Sequence, residues 1–240
     1  MDIHKPKPVH GWREFVSEIG VIVCGVVIAL GLEQIVEAVH WAERVHEAKA
    51  AIHKELVMAT VFGEERIARK DCADAYLSDL AVAVVASPPQ WTPRSKTFCG
   101  LDHEEVYVGL SRPWPTEVWR SIEAEGAVSH FGEHYRRAAP FTFDFIKDTG
   151  ELGAEESREA TQLDPLAYPI ILTPDARIGF LKVIGSLRRN NDLLALSASQ
   201  IGAQVTELGE TPTEAELKTM RASIPFLFHA PAPGPPHRPS

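Results

Sequence analysis

One five-residue segment of this chain has the residue types and spacing of a catalytic metal site. Residues 130–134 read His-Phe-Gly-Glu-His, so that His130, Glu133 and His134 form the pattern H-x-x-E-H. In inverted zinc peptidases, two histidines one helical turn apart bind zinc and the glutamate acts on the metal-bound water. The motif therefore supports one alternative function, a zinc-dependent hydrolase that uses these three residues.

The residues around this motif favour structural roles for both histidines. Zinc binding requires the two ligands on one turn of a well-formed helix and a third ligand, whereas Gly126 and Gly132 bracket the segment and place His130 near a helix start. The chain contains 10 histidines, which makes an accidental match easy. We therefore predict solvent-facing or capping roles for His130 and His134, no catalytic residue, no cofactor and no enzymatic activity.

The element that sets the organisation of the chain is an apolar run near its start. Residues 19–32 carry no charge and are mostly aliphatic, and Glu18 and Glu33 close the run. This length is short for a spanning helix, because about 20 residues cross a hydrocarbon core of roughly 30 Å. Apolar neighbours extend the stripe on both sides, so we predict a transmembrane helix at residues 15–38 after a cytoplasmic N-terminus at residues 1–14.

Two tryptophans support the membrane interpretation. On one continuous helix, Trp12 and Trp41 would lie roughly 43 Å apart, which matches a bilayer including its headgroups, where tryptophan is enriched. A cleaved signal peptide is the first rival, but the small-x-small cleavage site expected after Leu32 is missing. The second rival, a soluble helical domain in which the apolar helix is buried, remains an alternative.

Basic residues on either side of the run indicate its orientation. Lys5, Lys7 and Arg13 precede it, and Arg44 and Lys49 follow it, so the positive-inside rule slightly favours a cytoplasmic N-terminus. We therefore predict a single-pass protein of the bacterial inner membrane with most of its chain in the periplasm. The lipid bilayer is its first predicted partner.

Small residues on the apolar helix predict a helix–helix contact. Gly20, Cys24 and Gly31 fall on one stripe, and such small side chains let two helix backbones approach closely. The functional interpretation is a homo-oligomer or docking in a larger membrane complex. The structural alternative is that small residues are simply common in membrane helices.

Beyond the anchor, hydrophobic periodicity predicts helices over nearly the whole chain. The apolar helix is expected to continue as an amphipathic helix to about Ala86, where Ser87, Pro88 and Pro89 end it. Residues 87–115 are rich in proline and show no sustained period, which predicts a long ordered loop. The predicted architecture is all-α, with the transmembrane and amphipathic helix followed by a small helical bundle.

Start and stop signals place the later helices. These are residues 117–125, capped by Thr116 or the residue before it; 132–163, kinked or interrupted at Pro140; 173–209; and a last helix that begins at a capping box of Thr213 and Glu216. We expect one helical domain at residues 39–228. A disordered, proline-rich tail is expected at residues 229–240.

Two of the three cysteines can pair if this domain is exported. Oxidising compartments favour disulfides, and Cys24 would be sequestered in the membrane, which leaves Cys72 and Cys99. Such a bridge would tie the proline-rich loop to the long helix and stabilise the fold by about 3–4 kcal/mol. Two unrelated buried thiols are the alternative.

Composition and charge exclude one class of partner. Hydrophobic residues make up 45% of the chain, which is enough for one core. The net charge is -9, and the basic residues are interleaved with acidic ones without a basic stripe. Because binding to nucleic acid relies on clustered lysine and arginine, we predict no nucleic-acid partner.

Two segments of the N-terminal half are similar to sequences of a known group. These are residues 18–34, which end in the polar step Glu-Gln, and residues 114–119, Trp-Pro-Thr-Glu-Val-Trp, with Gly126. Over roughly residues 12–130, the chain resembles uncharacterised proteobacterial proteins with one N-terminal membrane helix. The resemblance implies an anchored helical protein and transfers no catalytic residue. We therefore expect a protein that acts through protein–protein contacts, as a scaffold, an accessory subunit or a sensor-like module.

Overall fold

The computed structural model describes residues 11–94, 97–99, 101–102, 106–110 and 112–224. Contacts divide the chain into two compact units, Met1–Ala48 and Lys49–Ser240. The described residues are predominantly α-helical with a few two-residue strands, which confirms the predicted fold class. The predicted tail at residues 229–240 and the first ten residues of the predicted N-terminal segment lie outside the described residues.

The first helix, α1, is Trp12–Ala86, which confirms that the apolar run continues into a long helix. Its sequence contains no proline, and the glycines within it each cost a helix only about 1 kcal/mol. The helix ends where Pro88 disfavours helical backbone in the residue before it. The Arg177 guanidinium donates hydrogen bonds to the carbonyls of Ser87 at 2.7 Å and Pro88 at 2.9 Å, which satisfies acceptors at this helix end.

The second unit, Lys49–Ser240, contains the rest of α1 and four further helices among its described residues. These are α2 (Glu117–Ala124), α3 (Glu133–Ala160), α4 (Pro174–Glu207) and α5 (Glu214–Ser223), with short 3-10 helices at Ala127–His130 and Thr161–Ala167. Helices α3 and α4 pack along each other. The helix starts at Thr173 and Thr213 are confirmed, and Thr213 forms the predicted capping box with Glu216.

Helix α3 continues through Pro140, so the predicted interruption there does not occur. Proline lacks the N–H that bonds to the preceding turn, and a break was expected for that reason. The residues around it are held in the core, because Ala139 and Phe143 are both buried. Tertiary packing therefore keeps the helix continuous across the missing hydrogen bond.

Buried apolar residues from every part of the second unit form its core. The principal cluster comprises Ala73, Leu77, Leu80, Val84, Trp91, Phe98, Val106, Tyr107, Ala160, Leu163, Leu166, Leu172, Ile184 and Leu187. A smaller cluster of Val57, Val61 and Leu217, with Met220 and Ile224 packed against it, attaches α5 to α1. In α4, apolar residues that recur at helical spacing, such as Leu187, Leu194 and Ile201, form the buried face.

The proline-rich segment is not confirmed as a plain loop. Strand β1 (Gln90–Trp91) pairs antiparallel with β4 (Ile170–Ile171), and β2 (Thr97–Phe98) pairs with β3 (Leu101–Asp102). Trp91 Nε1 also donates to the Leu166 carbonyl at 2.8 Å. Strands of two residues are too short to show the alternation that identifies a strand in sequence, which explains why they were not predicted.

Candidate functional site

The histidine motif is divided between two elements of the second unit. His130 ends a 3-10 helix, whereas Glu133 and His134 are the first two residues of α3. Between them, Phe131 and Gly132 have extended backbone, with ψ values of 158° and 152°. The two histidines therefore do not share a turn of one helix, which is the arrangement that this zinc motif requires.

Two residues of the motif form contacts that stabilise helix ends and turns. The Glu133 carboxylate accepts a hydrogen bond from Arg137 one turn later in α3, at 2.5 Å. His134 Nε2 donates to the Glu207 carbonyl at 2.9 Å, which caps the last turn of α4. Among the described residues, no group of three or more His, Cys, Asp or Glu side chains is arranged to hold a metal ion.

A different histidine contacts two acidic side chains on the described surface of the second unit. His53 of α1 contacts Glu210 through Nδ1 at 2.8 Å and Glu216 through Nε2 at 3.1 Å. Ionised carboxylates only accept hydrogen bonds, so both contacts are satisfied together when both ring nitrogens carry a proton. We call His53, Glu210 and Glu216 the His53 cluster; it ties α1 to α5 and to the connection before α5.

Hydrogen bonds from Thr213 and from His53 stabilise the charged form of Glu216. The side chain of Thr213, then its backbone N–H at 2.8 Å, and further His53 lower the pKa of Glu216 to about 2. Burial, and then the nearby charge of Glu210, raise the pKa of Tyr135 on α3. Glu216 is therefore held in its charged form where it contacts His53.

An open groove of about 430 Å³ lies beside the His53 cluster, between residues 53–57 of α1 and residues 215–223 of α5. Its surface is mainly apolar, with Val57 and Met220 in its walls and Thr219 between them. His53 and Glu216 stand at its polar edge. We call it the α1–α5 groove; it has the size and the mixture of apolar wall and polar edge that suit an apolar ligand or peptide.

The most deeply buried charges of the second unit form a separate network. Arg66 donates to both carboxylate oxygens of Glu156, at 2.8 and 2.7 Å, and both side chains are nearly inaccessible to solvent. Tyr107 Oη donates to the same carboxylate at 2.9 Å, and the Asn191 side chain donates to the Lys70 carbonyl at 2.9 Å. The bidentate pair of Arg66 and Glu156 fixes the register of α1 against α3.

The residues of the buried network are almost inaccessible to solvent. Burial, and then the negative charge of Glu156, raise the pKa of Tyr107. Arg66 Nε has no hydrogen-bond partner among the described residues. Because Arg66, Glu156 and Tyr107 are buried and hydrogen-bonded to one another, we assign this network to structural stability.

Glu55 of α1 caps helix α2, a role that the sequence had assigned to Thr116 or its neighbour. Its carboxylate accepts hydrogen bonds from the N–H groups of Val118 at 2.9 Å and Trp119 at 3.0 Å. Thr116 stands at the predicted N-cap position, but its side chain makes no capping bond, so the predicted capping role is wrong. Burial raises the pKa of Glu55, and these two backbone hydrogen bonds oppose the increase.

The structure joins Cys72 and Cys99 by a disulfide, with their Cα atoms 5.4 Å apart. Cys99 has a positive φ of 49°, a conformation that side chains other than glycine rarely adopt. The Arg69 guanidinium lies 4.6 Å from the centroid of the neighbouring Phe98 ring. The bridge thus attaches the proline-rich segment to α1 beside the principal core.

In the first unit, the apolar run of α1 is exposed. One helix near the N-terminus of the described chain is long and apolar enough to cross a membrane, and no residue in its most apolar window is buried. An added side chain at Gly20 or Gly31 would meet no atom within 4 Å, and Cys24 is an exposed free thiol. No family model, curated protein or solved structure matches the chain. Functional conclusions therefore depend on its own geometry.

Sequence reasoning missed the groups that organise the second unit. His53 lies in the stretch for which the sequence predicted only an amphipathic helix, yet its side chain is only 25% exposed and has two acidic partners. Its partners lie 157 and 163 residues away in the chain, so no local spacing could indicate them. The sequence did indicate the position of one partner, because the Thr213–Glu216 capping box fixes the Glu216 carboxylate at the start of α5.

Proposed function

We propose that this chain is a single-pass membrane protein whose apolar part of α1 crosses a lipid bilayer. The observation that carries the proposal is the exposure of this segment in the folded chain. Transfer of apolar surface from water is favourable by roughly 25 cal/mol per Å². A helix also satisfies its own backbone hydrogen bonds, which a hydrocarbon environment requires.

We further propose that the protein belongs to a bacterial inner membrane and that its second unit is periplasmic. The disulfide between Cys72 and Cys99 supports this location, because reducing agents keep cytosolic thiols unpaired. The slight excess of lysine and arginine before the apolar run supports the same orientation. The two arguments rest on different residues and agree.

The activity that we propose is binding to other proteins, as a scaffold, an accessory subunit or a sensor-like module. The support is that the buried charges of the described helices are engaged with one another, while the α1–α5 groove presents apolar surface. The zinc-hydrolase alternative has less support, because His130 and His134 lie on different elements. Stoichiometric zinc in the purified full chain would reverse this ranking.

Membrane insertion and orientation can be tested together in a Gram-negative host. The full chain should remain in the membrane pellet after alkaline carbonate and dissolve only in detergent. In spheroplasts, reduction followed by a membrane-impermeant maleimide should label Cys72 and Cys99. The matched variant Cys72→Ser/Cys99→Ser retains only Cys24 and should stay unlabelled. Extraction by carbonate would refute the anchor, and labelling only after lysis would refute the orientation.

Association through the membrane segment can be tested by adding volume to one helix face. Gly31→Leu enlarges the stripe that contains Gly20 and Cys24, whereas Ala29→Leu enlarges the opposite face of the same helix. We expect self-association or partner recovery in mild detergent to fall for Gly31→Leu and to persist for Ala29→Leu. A strictly monomeric parent protein that recovers no partner would contradict the proposed role.

A further inference from the structure

Helix α5 is attached to α1 through contacts of different chemistry. Leu217 belongs to the small apolar cluster, and Arg221 Nη2 lies 2.7 Å from Glu64 Oε2 on α1. Arginine remains charged in proteins, and an apolar cluster carries no charge, so neither attachment contains a group that normally titrates between pH 5 and 8. His53 is different, because histidine is the residue type that normally titrates in this range.

His53 contacts two carboxylates through opposite sides of its ring. Nδ1 lies 2.8 Å from Glu210 Oε2, and Nε2 lies 3.1 Å from Glu216 Oε1. An imidazolium donates at both nitrogens, whereas a neutral imidazole has one N–H and one lone pair. When both carboxylates are ionised, loss of the proton therefore removes one hydrogen bond and turns a lone pair towards a carboxylate oxygen.

Glu216 has a second set of hydrogen bonds that does not involve His53. Its Oε2 accepts from the Thr213 hydroxyl at 2.7 Å and from the Thr213 backbone N–H at 2.8 Å. The Thr213 side chain and backbone, and further His53, lower the pKa of Glu216 to about 2, so this carboxylate is charged where histidine titrates. Glu216 can therefore leave His53 while the capping box that starts α5 stays intact.

Ionisable side chains from α1 and α3 also lie around the His53 cluster. Burial, and then the nearby charge of Glu210, raise the pKa of Tyr135, which keeps its proton near neutral pH. Lys49 Nζ lies 4.9 Å from the centroid of the Tyr135 ring, and Lys54 lines the α1–α5 groove with His53. Lysine ordinarily stays charged below about pH 10. Among these described groups, His53 is the one whose residue type titrates near neutral pH.

We propose that His53 is a pH-controlled clip that attaches the start of α5 to α1. In its protonated form, the ring donates to Glu210 and Glu216 together and holds α5 against α1. When the proton leaves to solvent, the ring keeps the shorter contact to Glu210 and the contact to Glu216 opens. Helix α5 then stays attached through Leu217 and Arg221, while the edge of the α1–α5 groove that carries Glu216 can move away from α1. The clip lies within the second unit and operates independently of the membrane segment.

Amide hydrogen exchange of the full chain in detergent tests the clip. Exchange is measured at about pH 5.5 and about pH 8.5, on either side of the range in which histidine titrates, and is corrected for the intrinsic effect of pH. We expect the protection of residues 217–223 in α5 to be about tenfold lower at the higher pH, because one charge-assisted hydrogen bond is lost. Protection of residues 142–149 in α3, measured in the same samples, should stay constant.

Three substitutions separate the clip from a general loosening of α5. His53→Gln removes the titrating ring and should abolish the pH dependence of α5 protection. Glu210→Gln supplies an amide that can either accept from Nδ1 or donate to it, so α5 should stay protected at both pH values. Arg221→Gln is the matched control: it breaks the ion pair with Glu64 and should lower α5 protection equally at both pH values.

Nitrogen NMR of the full chain with labelled histidine reports the protonation of His53 directly, and His53→Gln assigns the signal. We expect both ring nitrogens to carry a proton at the lower pH and only one at the higher pH. A ring with the same protonation at both pH values would overturn the proposal, even if a variant misfolds. Equal α5 protection at both pH values in the parent protein, or an unchanged pH dependence in His53→Gln or Glu210→Gln, would also overturn it.

Discussion

In the first unit, the aliphatic side chains of Val21, Ile22 and Leu30 are more than half exposed, whereas in the second unit the charged side chains of Arg66 and Glu156 are almost completely buried. Helix α1 contributes residues to both units. One continuous helix therefore carries exposed apolar side chains in the first unit and buried charged side chains in the second. Helix formation does not decide the environment of a residue; the chemistry of each face does.

Exposed apolar side chains and buried charges are both energetically unfavourable, and each needs a favourable environment or partner. Exposed aliphatic residues along a helix are compensated by hydrocarbon, which accepts apolar surface and excludes charge. Buried ions are compensated by an opposite charge at hydrogen-bond distance, as Arg66 and Glu156 provide for each other at 2.7 and 2.8 Å. Placing charges in the apolar run should affect only the first unit, and breaking the Arg66–Glu156 pair should affect only the second.

The largest effect is expected from charges placed in the apolar run. Val23→Arg/Val26→Arg puts two arginines near the centre of the predicted span, and each costs about 2.5–3.5 kcal/mol on insertion scales. We expect the full chain to lose most of its carbonate-resistant membrane fraction. Fractionation followed by immunoblotting measures the effect.

The matched control for this prediction lies on the same helix. Val82→Arg/Val85→Arg changes two valines that are at least as exposed as Val23 and Val26 but belong to the second unit. It should leave membrane insertion unchanged and alter the free energy of unfolding by no more than about 0.5 kcal/mol per site. Equal loss of insertion in both variants would mean that residues 19–32 are not specifically the part of α1 that enters the membrane.

The first unit could be predicted from sequence because its signals are local. The apolar run 19–32, the absence of proline through Ala86 and the prolines that follow fix the extent of α1 within a few residues. The capping box at Thr213 and the start at Thr173 were predictable for the same reason, since their hydrogen bonds connect residues three apart.

The second largest effect is expected from breaking the buried ion pair. Arg66→Met removes the guanidinium and leaves the Glu156 carboxylate buried with Tyr107 as its remaining hydrogen-bond donor among the described side chains. An uncompensated buried charge costs about 3–5 kcal/mol, so the free energy of unfolding of the second unit should fall by that amount. Urea unfolding of the full chain in detergent, followed by tryptophan fluorescence, measures it.

The double variant Arg66→Met/Glu156→Leu shows whether the ion pair itself stabilises the fold or whether each charge only offsets the cost of burying the other. An apolar replacement of similar volume is often neutral, so we expect the double variant to recover most of the loss caused by Arg66→Met. Membrane insertion should be normal in both. A loss below about 1 kcal/mol in the single variant would mean that this charge is not effectively buried.

These ionic contacts could not be predicted, because each joins residues that are distant in sequence. Arg66 and Glu156 are 90 positions apart, and Glu55 is 63 and 64 positions from the N–H groups that it caps. In sequence, each of these charges looks like part of a solvated helix face. Only the packing of α1 against α2 and α3 makes a buried partner available, which also explains the misassigned cap at Thr116.

A smaller loss is expected when the disulfide is removed. Cys72→Ser/Cys99→Ser opens a loop of 27 residues, and loop-closure entropy gives about 3.5 kcal/mol for that length, an upper value because the unfolded chain retains some structure. The second unit should unfold at lower urea, whereas the membrane fraction of the first unit should not change. Equal stability of the variant and the oxidised parent would show that the bridge does not constrain the folded unit.

The smallest effect is expected at Glu216 and depends on pH. Because its pKa is lowered to about 2 in the folded chain, its contribution to stability is complete above pH of about 4.5 and is lost as pH falls towards 2. The difference in urea midpoint between the parent protein and Glu216→Gln should therefore shrink from pH 5 to pH 2. Glu214→Gln removes a carboxylate that contacts Arg221 at 3.9 Å in the same helix, and it is the control for the loss of one negative charge. A constant difference across this range would mean that Thr213 and His53 do not hold Glu216 in its charged form.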